Sequence, residues 1–166
     1  LDILVNNAGV TKVVPHQDLD SLQDEDIDRI LATNFRGSFA CVRAFQDLLA
    51  KNGEGLVVNI SSIAGTTAVG SSVAYCASKA AINSMTMSLG RALAPNIRVV
   101  AVAPGWVAGE YASRVDPAYM TEQVDKTPLG RIASASDVAN TVVALSTTVT
   151  FNTGCIIPVD GGRPLT

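Results

Sequence analysis

Four short apolar runs alternate with helix-length amphipathic stretches along this chain, and that alternation restricts the fold more than any other feature. The runs are Leu1–Val5, Leu56–Ile60, Ile97–Ala103 and Cys155–Val159. They are rich in branched residues and too uniformly apolar for half-exposed antiparallel strands, so they read as buried, parallel strands. Each ends at a turn signal: Asn6 to Gly9, Ser61 to Gly65, Pro104-Gly105, and Asp160-Gly161-Gly162. Between the first two runs, apolar residues from Ile27 to Leu49 recur at three- and four-residue spacing, which predicts one long helix from about Asp24 to before Gly53, with Ser21 or Asp24 able to cap it. A second helix, from Val73 to about Leu93, carries many small residues and stops before Pro95. A loop from about Val107 to Leu129 has room for one short helix, and Ser136 and Asp137 are placed to cap a helix through about Leu145. The order βαβαβ, loop, αβ predicts an α/β fold: a parallel sheet covered by helices on both faces and joined by right-handed crossovers. In such a sheet the site lies at the carboxyl ends of the strands. Three of those ends carry polar residues or glycine: Asn6–Gly9, Ser61–Gly65 and Pro104–Gly109.

Composition removes several function classes. The 166 residues are 48% hydrophobic and 16% charged, which excludes a disordered chain. A net charge of −3 without a basic block gives no electrostatic footprint for nucleic acid. Cys41, Cys76 and Cys155 are widely spaced and the one histidine, His16, cannot complete a Cys/His set, so no metal site is expected. Cys76, beside Tyr75 and with no pKa-lowering partner visible in sequence, reads as a small packing residue. No apolar run approaches the ~18 residues of a membrane span, and the cytoplasm is the expected compartment. The chain opens at Leu1 directly into a strand-like run, which reads as a cut in a longer sequence.

Individual residues then suggest chemistry. Asn34 interrupts the apolar face of the first helix, where it is either a satisfied core amide at a helix irregularity or part of a functional polar network. Tyr75 and Lys79, at i and i+4, share a helix face. Three Tyr and four Lys make such a pair weak evidence alone. Ser62, thirteen positions before Tyr75 and just after the second strand, strengthens it, with Ser61 the second choice for the same hydroxyl. Trp106 either walls a substrate pocket or packs as core.

LVNNAG (Leu4–Gly9), Asn34, NISS (Asn59–Ser62), YCASK (Tyr75–Lys79), PGWV (Pro104–Val107), PLGR (Pro128–Arg131) and VDGG (Val159–Gly162), in that order, resemble the short-chain dehydrogenase/reductase family, in the branch of 3-oxoacyl-carrier-protein reductases. The resemblance runs through essentially the whole chain. It implies the C-terminal catalytic and substrate-binding part of a single Rossmann-type, doubly wound domain, residues 1–166. It also implies an NAD(P)-dependent oxidoreductase moving hydride between nicotinamide and a ketone or secondary alcohol. Tyr75 matches the general acid/base, Lys79 its partner, Ser62 the hydroxyl that holds the substrate oxygen, and Asn34 the anchor of a proton-relay water. The chemistry is consistent with these roles: a free phenol has a pKa near ~10, and a nearby ammonium favours phenolate. Two hydroxyls can meet the charge that hydride transfer builds on a carbonyl oxygen. For NADP or NAD, the resemblance assigns Asn7, Ala8 and Gly9 to the adenosine ribose, Tyr75 and Lys79 to the nicotinamide side, Lys79 bonding its ribose, and Pro104, Gly105 and Val107 to the nicotinamide ring. Gly109 stands where many relatives carry Thr, which shifts carboxamide positioning to the Val107 backbone. A homodimer or homotetramer paired through the two long helices is implied, as is a lid over Gly109–Thr127 with Tyr111, Tyr119 and Met120. Asp160–Gly162 is expected to be a tight turn beside a subunit contact.

The family's glycine-rich phosphate turn has no counterpart here, since Gly53-Glu54-Gly55 precedes a strand. The resemblance begins at the family's fourth strand, which leaves roughly 80 to 90 residues, close to three strand-helix units, and with them the choice of NAD or NADP, upstream of Leu1. Leu1–Val5 is then expected to present an apolar sheet edge. Two alternatives follow: a catalytically inactive truncated member acting as an oligomerisation or interaction module, and a relative using the same Tyr and Lys for epimerisation or dehydration.

Overall fold

The computed structural model describes residues 1–109 and 112–166, and the backbone alone at Arg114. Tyr111, expected in the lid, lies outside the described residues. Four strands, β1 (Ile3–Asn6), β2 (Gly55–Ile60), β3 (Ile97–Pro104) and β4 (Ile156–Val159), form one all-parallel sheet in the order β1-β2-β3-β4. The helices are α1 (Asp24–Leu31), α2 (Ser38–Ala50), α3 (Ala64–Thr67), α4 (Val73–Ala92), α5 (Pro117–Asp125) and α6 (Ala135–Thr147). Alternation of side chains along the strands splits the core in two. Val57, Ile97 and Val99 pack with Val42 and Leu49 of α2 on one face, while Leu56, Val58, Val100 and Val102 pack with Leu145 of α6 on the other. The predicted doubly covered parallel sheet is therefore present.

β1 closes one edge of this sheet. Its Leu4 joins the α2-side core, but Ile3 and Val5, on the opposite face, are 40% and 43% exposed. The apolar edge expected from sequence is present.

Three local expectations need correction. The long helix is broken by a π-helical segment at Ala32–Gly37, which carries Asn34, because one extra residue per turn lets the Asn34 side chain face the post-β1 turn instead of lying in the 3.6-residue repeat. α1 has Gln23 at its N-cap with no side-chain cap bond, and Asp24, Glu25 and Asp26 in the first turn offset the helix dipole instead. The cap of α6 is Ser134, not Ser136: its hydroxyl accepts from Asp137 N and the Asp137 carboxylate accepts from Ser134 N, a reciprocal capping box. The Arg131 guanidinium reaches the same carboxylate at 2.7 and 3.0 Å and holds it well below the usual carboxylate range. The opposite end of α6 is closed by Arg98 of β3, whose Nη2 donates to Leu145 O at 2.8 Å. The Pro117–Asp125 segment is a nine-residue helix capped by Asp116, occupying the space predicted for one short helix.

Candidate active site

The carboxyl ends of β1, β2 and β3 lie side by side and are tied to α4 through buried polar side chains. Asn6 and Asn59 are register partners, and Asn6 Nδ2 donates to Asn59 Oδ1 at 2.9 Å. Asn59 Nδ2 in turn donates to Thr86 Oγ1 of α4 at 3.0 Å. Both amides are buried, so an apolar replacement would orphan a donor at a cost of about 1–3 kcal/mol.

Asn34, 1% exposed, holds the turn after β1 by two bonds to one residue. Its Oδ1 accepts from Val10 N at 2.8 Å and its Nδ2 donates to Val10 O at 3.0 Å. The same Nδ2 donates to Ser78 Oγ at 2.9 Å, and Ser78 Oγ donates to Tyr75 O at 2.7 Å. The π-helical break, the β1 turn and the backbone of the Tyr75 turn thus form one hydrogen-bonded unit. Asn34 is a satisfied core amide at a helix irregularity and also a network member, so the two sequence readings merge.

Lys79 lies one turn along α4 from Tyr75, with its Nζ 5.7 Å from the Tyr75 ring centroid. Nζ donates to Ile60 O, at the end of β2, at 2.8 Å. Burial disfavours its charged form and brings its pKa down to about 8. Gly9 faces this ammonium. A Cβ there would sit 3.6 Å from Asn34 Oδ1 and 3.8 Å from Lys79 Nζ, so its absence leaves a small polar-walled cradle in front of Lys79.

Ser62 and Ser61 separate clearly. Ser61 is 3% exposed and turned inward to Asn83 and the Lys79 backbone. Ser62 is half-buried; its Oγ accepts from Ala64 N at 3.1 Å and makes only a long 3.5 Å contact as donor to Pro104 O, which keeps its hydroxyl hydrogen available for a stronger acceptor. The turn carrying it is drawn to the β3 end by Ile63 N donating to Pro104 O at 3.0 Å.

Beyond β3, Val107 forms a parallel bridge to Ala133. Ala133 N donates to Trp106 O and Ala108 N donates to Ala133 O, so the Val107 N–H and C=O point away from that bridge. Gly105 approaches Asp160 closely: a Cβ there would lie 3.3 Å from Asp160 Cα. Trp106 packs edge-on against Tyr119 of α5, ring centroids 5.8 Å apart, which joins the loop after β3 to the segment expected to form a lid. Cys76 is buried, and burial raises its thiol pKa, as suits a packing residue. Asp160–Gly162 is a tight turn in which both glycines take positive φ and Gly162 N donates to Asp160 Oδ1.

The structure therefore groups Asn7–Gly9, Asn34, Ser62, Tyr75, Lys79 and the Pro104–Val107 loop at one end of the sheet. Sequence reasoning missed Ser78 and Asn83, which looked like small or polar filler on α4. Their positions, one before and four after Lys79, were the available signal. Among the described residues no group of His, Cys, Asp and Glu could hold a metal, and no helix is long and apolar enough to cross a membrane.

A parallel α/β sheet with its polar residues gathered at the carboxyl ends of the strands defines the doubly wound α/β class, whose ligands bind there. Comparison with known proteins narrows it. A family model described as enoyl-(acyl carrier protein) reductase matches residues 1–163. A putatively assigned ketoacyl reductase 2 of the granaticin polyketide synthase of Streptomyces violaceoruber is 40% identical over 99% of this chain and 67% of its own length. The crystal structure of a 3-oxoacyl-[acyl-carrier protein] reductase with bound NAD from Brucella melitensis superposes with a TM-score of 0.85 at 32% identity, covering 98% of this chain and 62% of that one. ElxO with NADP bound gives a TM-score of 0.89 at 29% identity, over 100% and 68%. The chain belongs to the short-chain dehydrogenase/reductase family. It spans about two thirds of the length of the curated relatives it matches.

Proposed function

We propose that this chain is the catalytic and substrate-binding part of an NAD(P)-dependent oxidoreductase acting on a ketone or secondary alcohol. The observation that carries the reading is the arrangement of Ser62, Tyr75 and Lys79 at one strand end, with a buried ammonium above the Tyr75 ring. A bound nicotinamide coenzyme supplies or accepts the hydride. Tyr75 gives its phenol proton to the carbonyl oxygen during reduction and takes it back during oxidation. Ser62 donates its hydroxyl hydrogen to the same oxygen and holds it where charge develops. Lys79 stabilises negative charge on the Tyr75 oxygen while Asn34 keeps the β1 turn and α4 in register.

The residues fit the nicotinamide and ribose side of the coenzyme. The cradle left by Gly9 in front of Lys79 admits a sugar hydroxyl, Asn7 and Ala8 line the same turn, and Pro104, Gly105 and the free-facing Val107 backbone supply the ring side. The relatives that hold NAD and NADP support the coenzyme class. The cytoplasm is the compartment we assign, and a homodimer or homotetramer the assembly. Partly exposed Phe39, Phe45 and Met87 on α2 and α4 support the latter.

Titrating the full-length protein with NADPH and NADH and following nicotinamide fluorescence tests this. Saturable binding that weakens at least about tenfold in Lys79→Met is expected. A folded protein that binds neither coenzyme would instead favour the inactive interaction module.

A further inference from the structure

Ser61 and Asn83 have no part in the chemistry above, yet both are buried against Lys79, at 3% and 6% exposure. Ser61 Oγ lies 2.7 Å from Asn83 Oδ1 and 3.3 Å from Lys79 O. A hydroxyl has one hydrogen and cannot donate to both acceptors. Asn83 Nδ2, on the other side of the same carboxamide, is buried without a partner. Turning the carboxamide by half a revolution about Cβ–Cγ resolves the double donation: Nδ2 then donates to Ser61 Oγ, the Ser61 hydroxyl donates to Lys79 O, and Oδ1 takes the unpartnered position, where a lone acceptor costs less than a lone donor. The result is a directional chain, Asn83 to Ser61 to the Lys79 backbone.

A second observation points to the same peptide. A Cβ on Gly65 would lie 2.7 Å from Lys79 C and 2.8 Å from Lys79 O, so the turn that carries Ser62 rests directly on the Lys79 backbone. The side-chain end of Lys79 is held by Ile60 O. Residues 60, 61 and 65 therefore grip Lys79 at both ends, with Ser62 between them.

We propose that Asn83, acting through Ser61, is a positioning residue that fixes Lys79 against the end of β2 and so sets the spacing of the Ser62 hydroxyl from the Tyr75 and Lys79 pair. Its catalytic consequence rests on the oxidoreductase reading above; the hydrogen-bond chain does not.

The test uses full-length protein labelled with 13C at lysine Cε and titrated by NMR, in parallel with steady-state kinetics. Lys79 is the lysine whose midpoint is brought down to about 8 by burial. In Asn83→Leu the loosened grip admits water, so the Lys79 midpoint rises toward the ordinary lysine range, and kcat falls about tenfold while KM for the carbonyl substrate changes less than about twofold. Ser61→Ala gives the same pattern and Ser61→Thr, which keeps the hydroxyl, restores the wild-type values. If Asn83→Leu fails to fold, the two Ser61 variants carry the test alone. In a protein without turnover the oxidoreductase reading fails, and the Lys79 midpoint by itself still decides the positioning claim. An unchanged midpoint and kcat in the folded variants, with only a lower Tm, would overturn it.

Discussion

Behind the site, Asn6, Asn34, Asn59, Ser61, Ser78 and Thr86 are all at most 9% exposed and joined by hydrogen bonds that cross from strand to helix. In front of it, Tyr119 and Leu129 meet solvent, at 43% and 71% exposure, and Trp106 packs edge-on against Tyr119 of α5. The back wall is over-determined, because Asn6, Asn34 and Asn59 each have partners that would be orphaned by their removal. At the front, the Trp106–Tyr119 contact is apolar and tolerates changes of shape. A scaffold of this kind holds the strand ends and α4 rigidly while the surface in front of them can vary.

Substituting one residue on each side separates the two walls. Asn34→Ala removes three bonds at once, and chemical denaturation should show a loss of about 2–3 kcal/mol, with turnover reduced on the order of a hundredfold. Tyr119→Ala should leave stability within about 1 kcal/mol and change mainly KM. Equal losses from the two would mean that the front is as constrained as the back.

Lys79→Met separates chemistry from stability within the back wall. The depressed pKa means that the folded state below pH 8 carries a disfavoured buried ammonium. Between pH 8 and the ordinary lysine pKa the unfolded chain binds the proton and the folded chain does not, so wild-type stability rises through that window. The variant should therefore be more stable than wild type by about 1–2 kcal/mol at pH 7, and the difference should vanish as pH rises above 10. Denaturation curves at pH 7 and pH 10.5 check this; a variant less stable at pH 7 would show that the Ile60 bond outweighs desolvation.

How far the molecule was legible in sequence follows from the range of the forces involved. The strands could be read because Leu56–Ile60 and Ile97–Ala103 carry their burial in composition, and β2 and β3 begin and end within a residue of the expected positions. Spacing along one helix turn placed Tyr75 beside Lys79, and the ordered motifs of the family resemblance, more than spacing, added Ser62 to them. At Asn34 an irregularity could be read but not its π-helical form, because Asn34 gains its partners from Val10 and Ser78, which are distant in sequence. Ser134 was overlooked for Ser136 because either serine precedes the apolar repeat of α6, and only backbone geometry selects the one whose hydroxyl meets Asp137 N. Ser78 and Asn83 were missed for the same reason as Asn34's partners: a small or polar residue on a helix acquires its role from what packs against it.

The most direct test of the account is the turnover of Tyr75→Phe, measured as consumption of NADPH or NADH with a panel of ketones. That substitution removes one hydroxyl and leaves the buried web intact. If Tyr75 is the acid and base, kcat falls on the order of a thousandfold while coenzyme binding and Tm stay close to wild type. Turnover that survives the loss of the phenol would contradict the assignment of Tyr75 as the acid and base of the reaction.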